Sequence, residues 1–356
     1  MIKRLNPEHF YADPYHTFVI AEAGSNWKSG SYEDDLKRSN ELIKTAAKAG
    51  ADAIKFQTFR ADTVYAHGAG ISKYLSDHGI NDNINKIFEH LSMPYEMIPQ
   101  LSDMCKKENI LFMSTPFSVE DAKQIDPHVQ IHKVASYEIN HVRLLEFLAS
   151  TKKPILISTG ASTYTEIDFA LGIMKNSGNN LLAIMQCTSK YPCPVSALNL
   201  SVIPQMKIKY NLPVGLSDHS TNPVVAPLTA VGLGATIIEK HFTLDRTLPG
   251  PDHSFSLIPE ELELMVKSIR DADTAKGNGK KEILNEEIEL HEYATRSLQA
   301  IKNISKGSIL EEGINFAVLR PGNRIRGLDA RFLSLVNGKK AKKDIMTGDG
   351  ITEFFD

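Results

Sequence analysis

The sequence predicts an α/β fold: a (β/α)8 barrel followed by a small, mostly β domain. Three observations carry this. Eight short apolar runs alternate with helical patterns before residue 245. Most of the runs lack strict alternation, as parallel strands do when helices cover them outside. Polar residues gather at the run ends, where a barrel builds its site. A doubly wound sheet is the other arrangement this alternation allows.

The runs are 17–22 "TFVIAE", 51–58 "ADAIKFQT", 109–115 "NILFMST", 129–136 "VQIHKVAS", 154–159 "PILIST", 181–187 "LLAIMQC", 212–217 "LPVGLS" and 235–242 "ATIIEKHF". Between the first two, "YEDDLKRSNELIKTAAKAGA" sets Leu36, Leu42, Ile43, Ala46 and Ala47 on one side, with Gly50 as its stop. "TYTEIDFALGIMKNSG" repeats the design, and "EELELMVKSIRDADTAKG" supplies a last helix. Two loops exceed what a barrel needs: 60–98, with a helical "INKIFEHL", and the segment "RTLPGPDHSFSL" after the eighth run. Both fall on the C-terminal face of the barrel. Domain boundaries follow as 1–271 for the barrel, 272–292 for a charged linker and 293–356 for the small domain. A core of that size is expected to dock for stability.

With 42% hydrophobic and 23% charged residues and a formal charge of −3, the chain reads as a soluble globular protein. Lys and Arg are interspersed with Asp and Glu, which excludes a nucleic-acid surface. The N-terminal stretch holds no apolar run long enough for a signal peptide or membrane span. Three cysteines, Cys105, Cys187 and Cys193, make no disulfide framework and fit a reducing cytoplasm. No second thiol pair completes a metal site with Cys187 and Cys193.

At the strand ends and the first loop positions stand Glu22, Asn26, Lys55, Gln57, Ser114, Thr115, Phe117, Lys133, Ser136, Glu138, Thr159, Thr188, Ser189, Tyr191, Ser217, Asp218, His219, Glu239, Lys240 and His241. Packing alone favours Val or Leu at such places. A buried lysine is costly unless an anion receives it. Lys55 and Lys133, flanked by hydroxyls, form a cradle for phosphate and carboxylate; the plainer alternative pairs them with Glu22 and Glu138. His219 and His241 close the seventh and eighth runs, neighbours in a barrel, so their rings converge. Two imidazoles with open positions suit Mn2+, Fe2+, Co2+ or Zn2+ better than the oxygen-seeking Mg2+. His253 is a candidate third imidazole, and its neighbour Asp252 a partner for a substrate hydroxyl.

In this order, "FVIAEAGSN", "AGADAIKFQTF", "FMSTPFS", "HKVASYEINH", "ISTGAST", "QCTSKYPCP", "GLSDHS" and "EKHFTLDRTLPGPDHSFSL" resemble the N-acetylneuraminate (sialic acid) synthase family, which includes legionaminic and pseudaminic acid synthases. "KGSILEEGINFAVLRPGN" and "GKKAKKDIMTGDGI" resemble its antifreeze-like (SAF) domain. The resemblance implies condensation of phosphoenolpyruvate with a 2-acetamido aldose to a nine-carbon 2-keto-3-deoxy acid and phosphate. It implies that Lys55, Thr115, Lys133, Ser136, Ser189 and Ser217 hold phosphoenolpyruvate, with Ser189 where the family often has Asn. It implies Gln57, Phe117, Tyr191 and Asp252 along the sugar, and Glu22 and Glu138 as acidic groups at the reacting centre. His219 and His241 are implied as ligands of a divalent metal, Mn2+ foremost, with Mg2+ or Co2+ as substitutes. Arg320, in "LRPGN", is implied to reach the sugar's acetamido group from the partner of a domain-swapped homodimer.

This chain departs from the family where Trp27 in "NWKSG" replaces a histidine near the entrance, and where "RPGNRI" lacks a second glycine. The long loop 60–98 and "KVASYEI" lean toward legionaminic or pseudaminic acid synthases, whose sugars are 6-deoxy and 4-acetamido. A related seven- or eight-carbon sugar-acid synthase lacks the small domain. A metal-dependent barrel aldolase or epimerase would release no phosphate. A non-enzymatic carbohydrate- or ice-binding module leaves the strand-end lysines, glutamates and histidines unexplained. An anionic sugar would find Arg60, Lys73 or Arg246 near the pocket mouth.

Overall fold

A computed structural model describes residues 15–72, 76 and 81–355. Eight parallel strands form its centre: β1 (Phe18–Gly24), β2 (Ala53–Thr58), β3 (Leu111–Pro116), β4 (His132–Val134), β5 (Ile155–Ser158), β6 (Leu182–Cys187), β7 (Val214–Asp218) and β8 (Ile237–His241). Their bonded order is β3-β2-β1-β8-β7-β6-β5-β4. The first strand pairs with the last, Glu22 opposite His241. That closure separates the barrel from an open doubly wound sheet. The ring is bonded everywhere except between β3 and β4, which lie side by side. The fourth run, expected over 129–136, keeps only three residues of strand, because Ser136–Glu138 turns into a 3-10 helix.

Helices alternate with the strands: α1 (Tyr32–Ala49), α2 (Ile84–Leu91), α3 (Met97–Lys107), α4 (Val119–Ile125), α5 (Val142–Ser150), α6 (Tyr164–Asn176), α7 (Val202–Tyr210), α8 (Val225–Gly232) and α9 (Pro259–Ala275). In α1 a capping box joins Ser31 and Asp34, and Gly50 ends the helix in the left-handed region. Among the described residues no helix is long and apolar enough to cross a membrane.

Side chains alternate across each strand, so one set faces the helices and the other the barrel axis. The axial set begins as an apolar plug that includes Phe18, Ile20, Ala53, Leu111, Met113 and Ile237. Two residues further along each strand, the same face turns polar. At the opposite end of the barrel, α9 is fastened to β1: Thr17 donates from its N and Oγ1 to Asp273, each at 2.7 Å. Asp52 accepts from Val19 N at 2.8 Å and pairs with Arg270 at 2.7 Å.

By internal contacts the chain forms two units, one through Gly277 and the other from Asn278. The stretch 272–292, expected as a linker, is divided between them: α9 continues to Ala275, while Asn285–Glu287 and Ile288–Ala294 are helical. The second unit pairs β9 (Ser297–Ala300) with β10 (Phe316–Leu319) and β11 (Lys340–Ala341) with β12 (Phe354–Phe355), all antiparallel. Leu298, Leu310, Phe316 and Ile351 centre its core. Gly350 admits no larger residue, since a Cβ there would stand 1.9 Å from Gly327 N.

Two strand-end residues expected in the cup, Asp218 and Lys240, face the helix layer instead. Their ion pair spans 2.5 Å between side chains that are 0% and 1% exposed. Removing the carboxylate leaves a buried ammonium with no counter-charge. Asp218→Ala is therefore expected to lower the unfolding free energy by about 3–5 kcal/mol, read from urea melts. The double replacement Asp218→Leu with Lys240→Met is expected to cost much less.

Candidate active site

The polar layer above the apolar plug opens into a cavity of about 810 Å3. At its floor stand two ammonium groups and two carboxylates. Lys55 Nζ lies 2.7 Å from Glu22 Oε2 and donates to Thr115 Oγ1 at 2.9 Å. Lys133 Nζ donates to Ser158 Oγ at 2.7 Å. Glu239 Oε1 stands between the lysines, 3.9 Å from Lys55 and 3.5 Å from Lys133, and accepts from Ser217 Oγ at 3.1 Å. Gln57 donates to Glu22 Oε1 at 3.2 Å. The pairing of Lys133 with Glu138 considered from sequence is thus replaced by pairing with Glu239. β4 and β8 both aim these side chains at the axis, whereas Glu138 sits on the turn after β4.

Charge on these groups is divided unevenly. Burial raises Glu22 above the usual carboxylate range, and Lys55 only partly offsets it. Burial acts on Glu239 as well, but Lys133 and Lys55 outweigh it and hold its pKa below normal. Burial opposes charge on Lys55, yet Glu22 and Glu239 raise its pKa. Lys133 is lowered, chiefly by burial, with Lys55 adding repulsion. One carboxyl that titrates near neutrality beside one that is firmly ionised is the division of labour an acid–base site requires.

Next to Lys133 a ring of small groups gathers around Gly160. Its N donates to Ser136 Oγ at 2.9 Å. A Cβ at Gly160 would stand 2.3 Å from Ser189 Oγ and 2.9 Å from Cys187 Sγ. Glycine is what lets these side chains converge. The Ser189 hydroxyl is buried without a hydrogen-bond partner, a donor left for a ligand.

The rings of His219 and His241 lie 5.6 Å apart, centroid to centroid. Nδ1 of His219 donates to Thr188 O at 2.9 Å, since a carbonyl only accepts; the lone pair is then on Nε2. Burial, with the charges of His219 and Lys55, pushes the pKa of His241 well down, so its imidazole is neutral. Nδ1 of His241 is buried without a hydrogen-bond partner. Tyr191 packs 4.1 Å from His219, and Phe255 packs 5.2 Å from His241. Among the described residues no group of three or more His, Cys, Asp or Glu side chains is placed to hold a metal ion. Burial opposes charge on His219, but Cys187 and the Thr188 carbonyl raise its pKa, so the neutral ring of the pair is His241. With His219 deprotonated, the two imidazoles fit a divalent cation whose other ligands are water or substrate. His253 is not a third: it is buried, and its Nδ1 bonds Thr243 Oγ1 at 2.7 Å.

The barrel residues to which the resemblance assigns catalysis, substrate or metal all line this one cavity: Glu22, Lys55, Gln57, Thr115, Phe117, Lys133, Ser136, Glu138, Ser189, Tyr191, Ser217, His219, His241 and Asp252. Arg320 follows β10 in the second unit and is exposed. Asp252 accepts from Ser25 Oγ at 2.9 Å. Other strand-end residues point elsewhere. Asn26 donates to Phe242 O, Ser114 bonds Thr58, Thr159 donates to Met185 O, and Thr188 donates to Ala197 O. Trp27, expected near the entrance, is 1% exposed in the packed core.

A model described as the NeuB family matches residues 42–281, and a SAF domain model matches 295–353. The chain belongs to the NeuB family. Its relatives within and around that family include the spore coat polysaccharide biosynthesis protein SpsE of Bacillus subtilis, 38% identical over 94% of this chain and 92% of that protein. A pseudaminic acid synthase of Campylobacter jejuni is 38% identical over 94% and 95% of the two chains. Among solved structures, the N-acetylneuraminic acid (sialic acid) synthetase of Leptospira borgpetersenii, in complex with citrate, aligns with a TM-score of 0.68 at 34% identity, covering 78% of this chain and 91% of that one.

Three features of this NeuB-family cavity escaped the sequence. Glu239 was noted as a strand-end residue, but nothing in the sequence showed that it serves both lysines. Ser158 and Cys187 line the cavity because each lies two residues beyond an axial apolar residue, Leu156 and Met185. Counting by two along β5 and β6 would have found them. The third is an apolar wall supplied by the long loop after β2.

Glu138 yields a pH test. Burial, reinforced by the negative charge of Asp121, raises its pKa from 4.5 to about 7. The folded protein therefore holds this proton to higher pH than the unfolded chain does, so stability falls as pH rises from about 4.5 through about 7. Glu138→Gln is expected to flatten part of that decline, as urea midpoints at about pH 5 and about pH 8 would show.

Proposed function

We propose that this protein is a nonulosonic (sialic-type) acid synthase. It condenses phosphoenolpyruvate and water with an N-acetylmannosamine-like 2-acetamido aldose, giving a nine-carbon 2-keto-3-deoxy acid and phosphate. The observation that carries this reading is the floor: Lys55 and Lys133 with converging hydroxyls, in one cavity with two imidazoles. The synthases among its relatives support it.

In this reading Lys55, Lys133 and the hydroxyls of Thr115, Ser136, Ser189 and Ser217 receive the phosphate and carboxylate of phosphoenolpyruvate. Gln57, Phe117, Tyr191 and Asp252 position the open-chain sugar. C3 of the enol bonds to the aldehyde carbon, the aldehyde oxygen takes a proton from solvent, and water adds to C2. Glu22, on the floor and raised toward neutrality, takes the proton that this water loses. The C2–O bond to phosphorus then breaks at carbon as the new C2 hydroxyl becomes the ketone and its proton passes to the departing phosphate, whose charge the lysines meet. Glu138, also raised, is the second carboxyl within reach of the cavity. His219 and His241 would hold the divalent cation, Mn2+ foremost. Bound there, it would polarise the aldehyde oxygen and meet the charge developing on it. Arg320 reaches the acetamido group from the partner of a homodimer.

The test is phosphate release from phosphoenolpyruvate with Mn2+, dependent on an added acetamido sugar and lost with EDTA. Sugar cleavage or epimerisation without phosphate release would instead mark a metal-dependent aldolase or epimerase. His219→Ala and His241→Ala are each expected to abolish the release; full activity of both at saturating metal would remove the metal from this site. The shared site has its own check. Arg320→Ala and His241→Ala subunits, inactive separately, are expected to recover turnover when co-expressed, because the heterodimer holds one intact site.

A further inference from the structure

The proposed reaction leaves several charged side chains without a part. Arg60 stacks on Tyr95 at 3.7 Å and donates to Phe59 O and Met93 O. Arg246 is paired with Glu261. Lys73 lies outside the described residues. Lys240 differs, because its bonds reach the segment that carries one of the two cavity histidines.

An ammonium has three donors. Those of Lys240 go to Asp218 Oδ2, the Ser220 carbonyl and Ser220 Oγ, the last at 3.2 Å. Asp218 binds the same residue: its Oδ1 accepts from Ser220 N at 2.8 Å and its Oδ2 from Ser220 Oγ at 3.1 Å. A carboxylate bonded to the backbone two residues on closes an Asx turn, and the residue at its centre is His219. Lys240 immediately precedes His241. One ammonium thus ties the turn around one imidazole to the strand that ends in the other.

Resting on the reading of His219 and His241 as ligands of a divalent cation, we propose that this clasp sets the separation of the two imidazoles. Asp218, Ser220 and Lys240 are positioning residues, and none of the three lines the cavity. The ladder shows why a clasp is needed. β7 and β8 pair as far as Asp218 opposite Lys240, where β7 ends. His241 is the last residue of β8 and stands opposite Glu22 of β1. His219 lies one residue past β7, beyond that ladder. Its ring donates to Thr188 O and its carbonyl accepts from Cys193 N at 2.8 Å, both in the loop after β6. Those contacts tie His219 to β6, and the clasp refers it to β8. Two side chains that close on one cation must be held to within about 0.5 Å. Stability alone does not call for charge here, since apolar residues of similar volume often replace a buried ion pair without loss. What they lack is the set of directional bonds.

The experiment measures the Mn2+ dissociation constant of the full chain from the paramagnetic resonance signal of the free ion, alongside urea melts. The unsubstituted protein is expected to bind one Mn2+ that His219→Ala loses. Asp218→Leu with Lys240→Met is expected to weaken binding by on the order of 10–100-fold while keeping most of the stability. Ser220→Ala removes one hydroxyl and leaves the ion pair, and is expected to weaken binding by about threefold, the scale of one hydrogen bond. Arg270→Met is the control. It breaks the pair with Asp52 at the opposite end of the barrel, and is expected to lower stability with the Mn2+ constant unchanged. Unchanged affinity in the double variant and in Ser220→Ala overturns the clasp and leaves the metal site standing. Equal weakening in Arg270→Met also overturns it, because the loss then follows stability. If the double variant does not fold, Ser220→Ala against Arg270→Met decides. No Mn2+ bound by the unsubstituted protein, or binding that His219→Ala keeps, overturns the metal reading and the clasp with it.

Discussion

Glu239 stands between two buried lysines, and the interior of the barrel is arranged around that shared carboxylate. Two ammonium groups in a packed barrel are untenable without counter-charge. Glu22 and Glu239 supply it, one from each of two adjacent strands, and the four groups carry no formal net charge. The lysine and hydroxyl donors are aimed by the fold itself, which is how a preorganised site differs from a patch of surface lysines.

That arrangement follows from the period of a strand. On every β-strand the axial residues change from apolar to polar at one level, so the plug and the floor are successive layers of one stack. Phe18, Ile20 and Glu22 show it on β1, and Ile237, Glu239 and His241 on β8. The residues between them turn outward and serve the helix layer. Asp218 and Lys240 are charged and buried, but on the wrong face for chemistry. The same alternation gives one cluster a place in the cavity and the other a place in the helix layer.

Loops supply what strands cannot. The hydroxyl ring at Gly160, the Thr188 carbonyl that orients His219, and the apolar wall after β2 all come from segments beyond the strand ends. Strand positions build the floor of the cavity, and loop positions build its walls.

Much of this was legible in the sequence. Eight apolar runs in alternation with helices required a barrel or a doubly wound sheet, and polar residues at the run ends located the face that carries the site. The lysines, the histidines and Glu22 were visible because such residues are costly where they stand unless they act. Tertiary structure decided the rest. Closure of β1 on β8 chose the barrel, a long-range pairing to which no local preference points. Side-chain direction removed Ser114, Thr159, Asp218 and Lys240 from the cup, since a one-residue step reverses the face a strand residue takes. Glu239 became the partner of Lys133 because strands far apart in sequence meet across the axis. Whether a charged residue is a ligand for substrate or a brace for the fold depends on what lies opposite it, and only the closed barrel brings those opposites together.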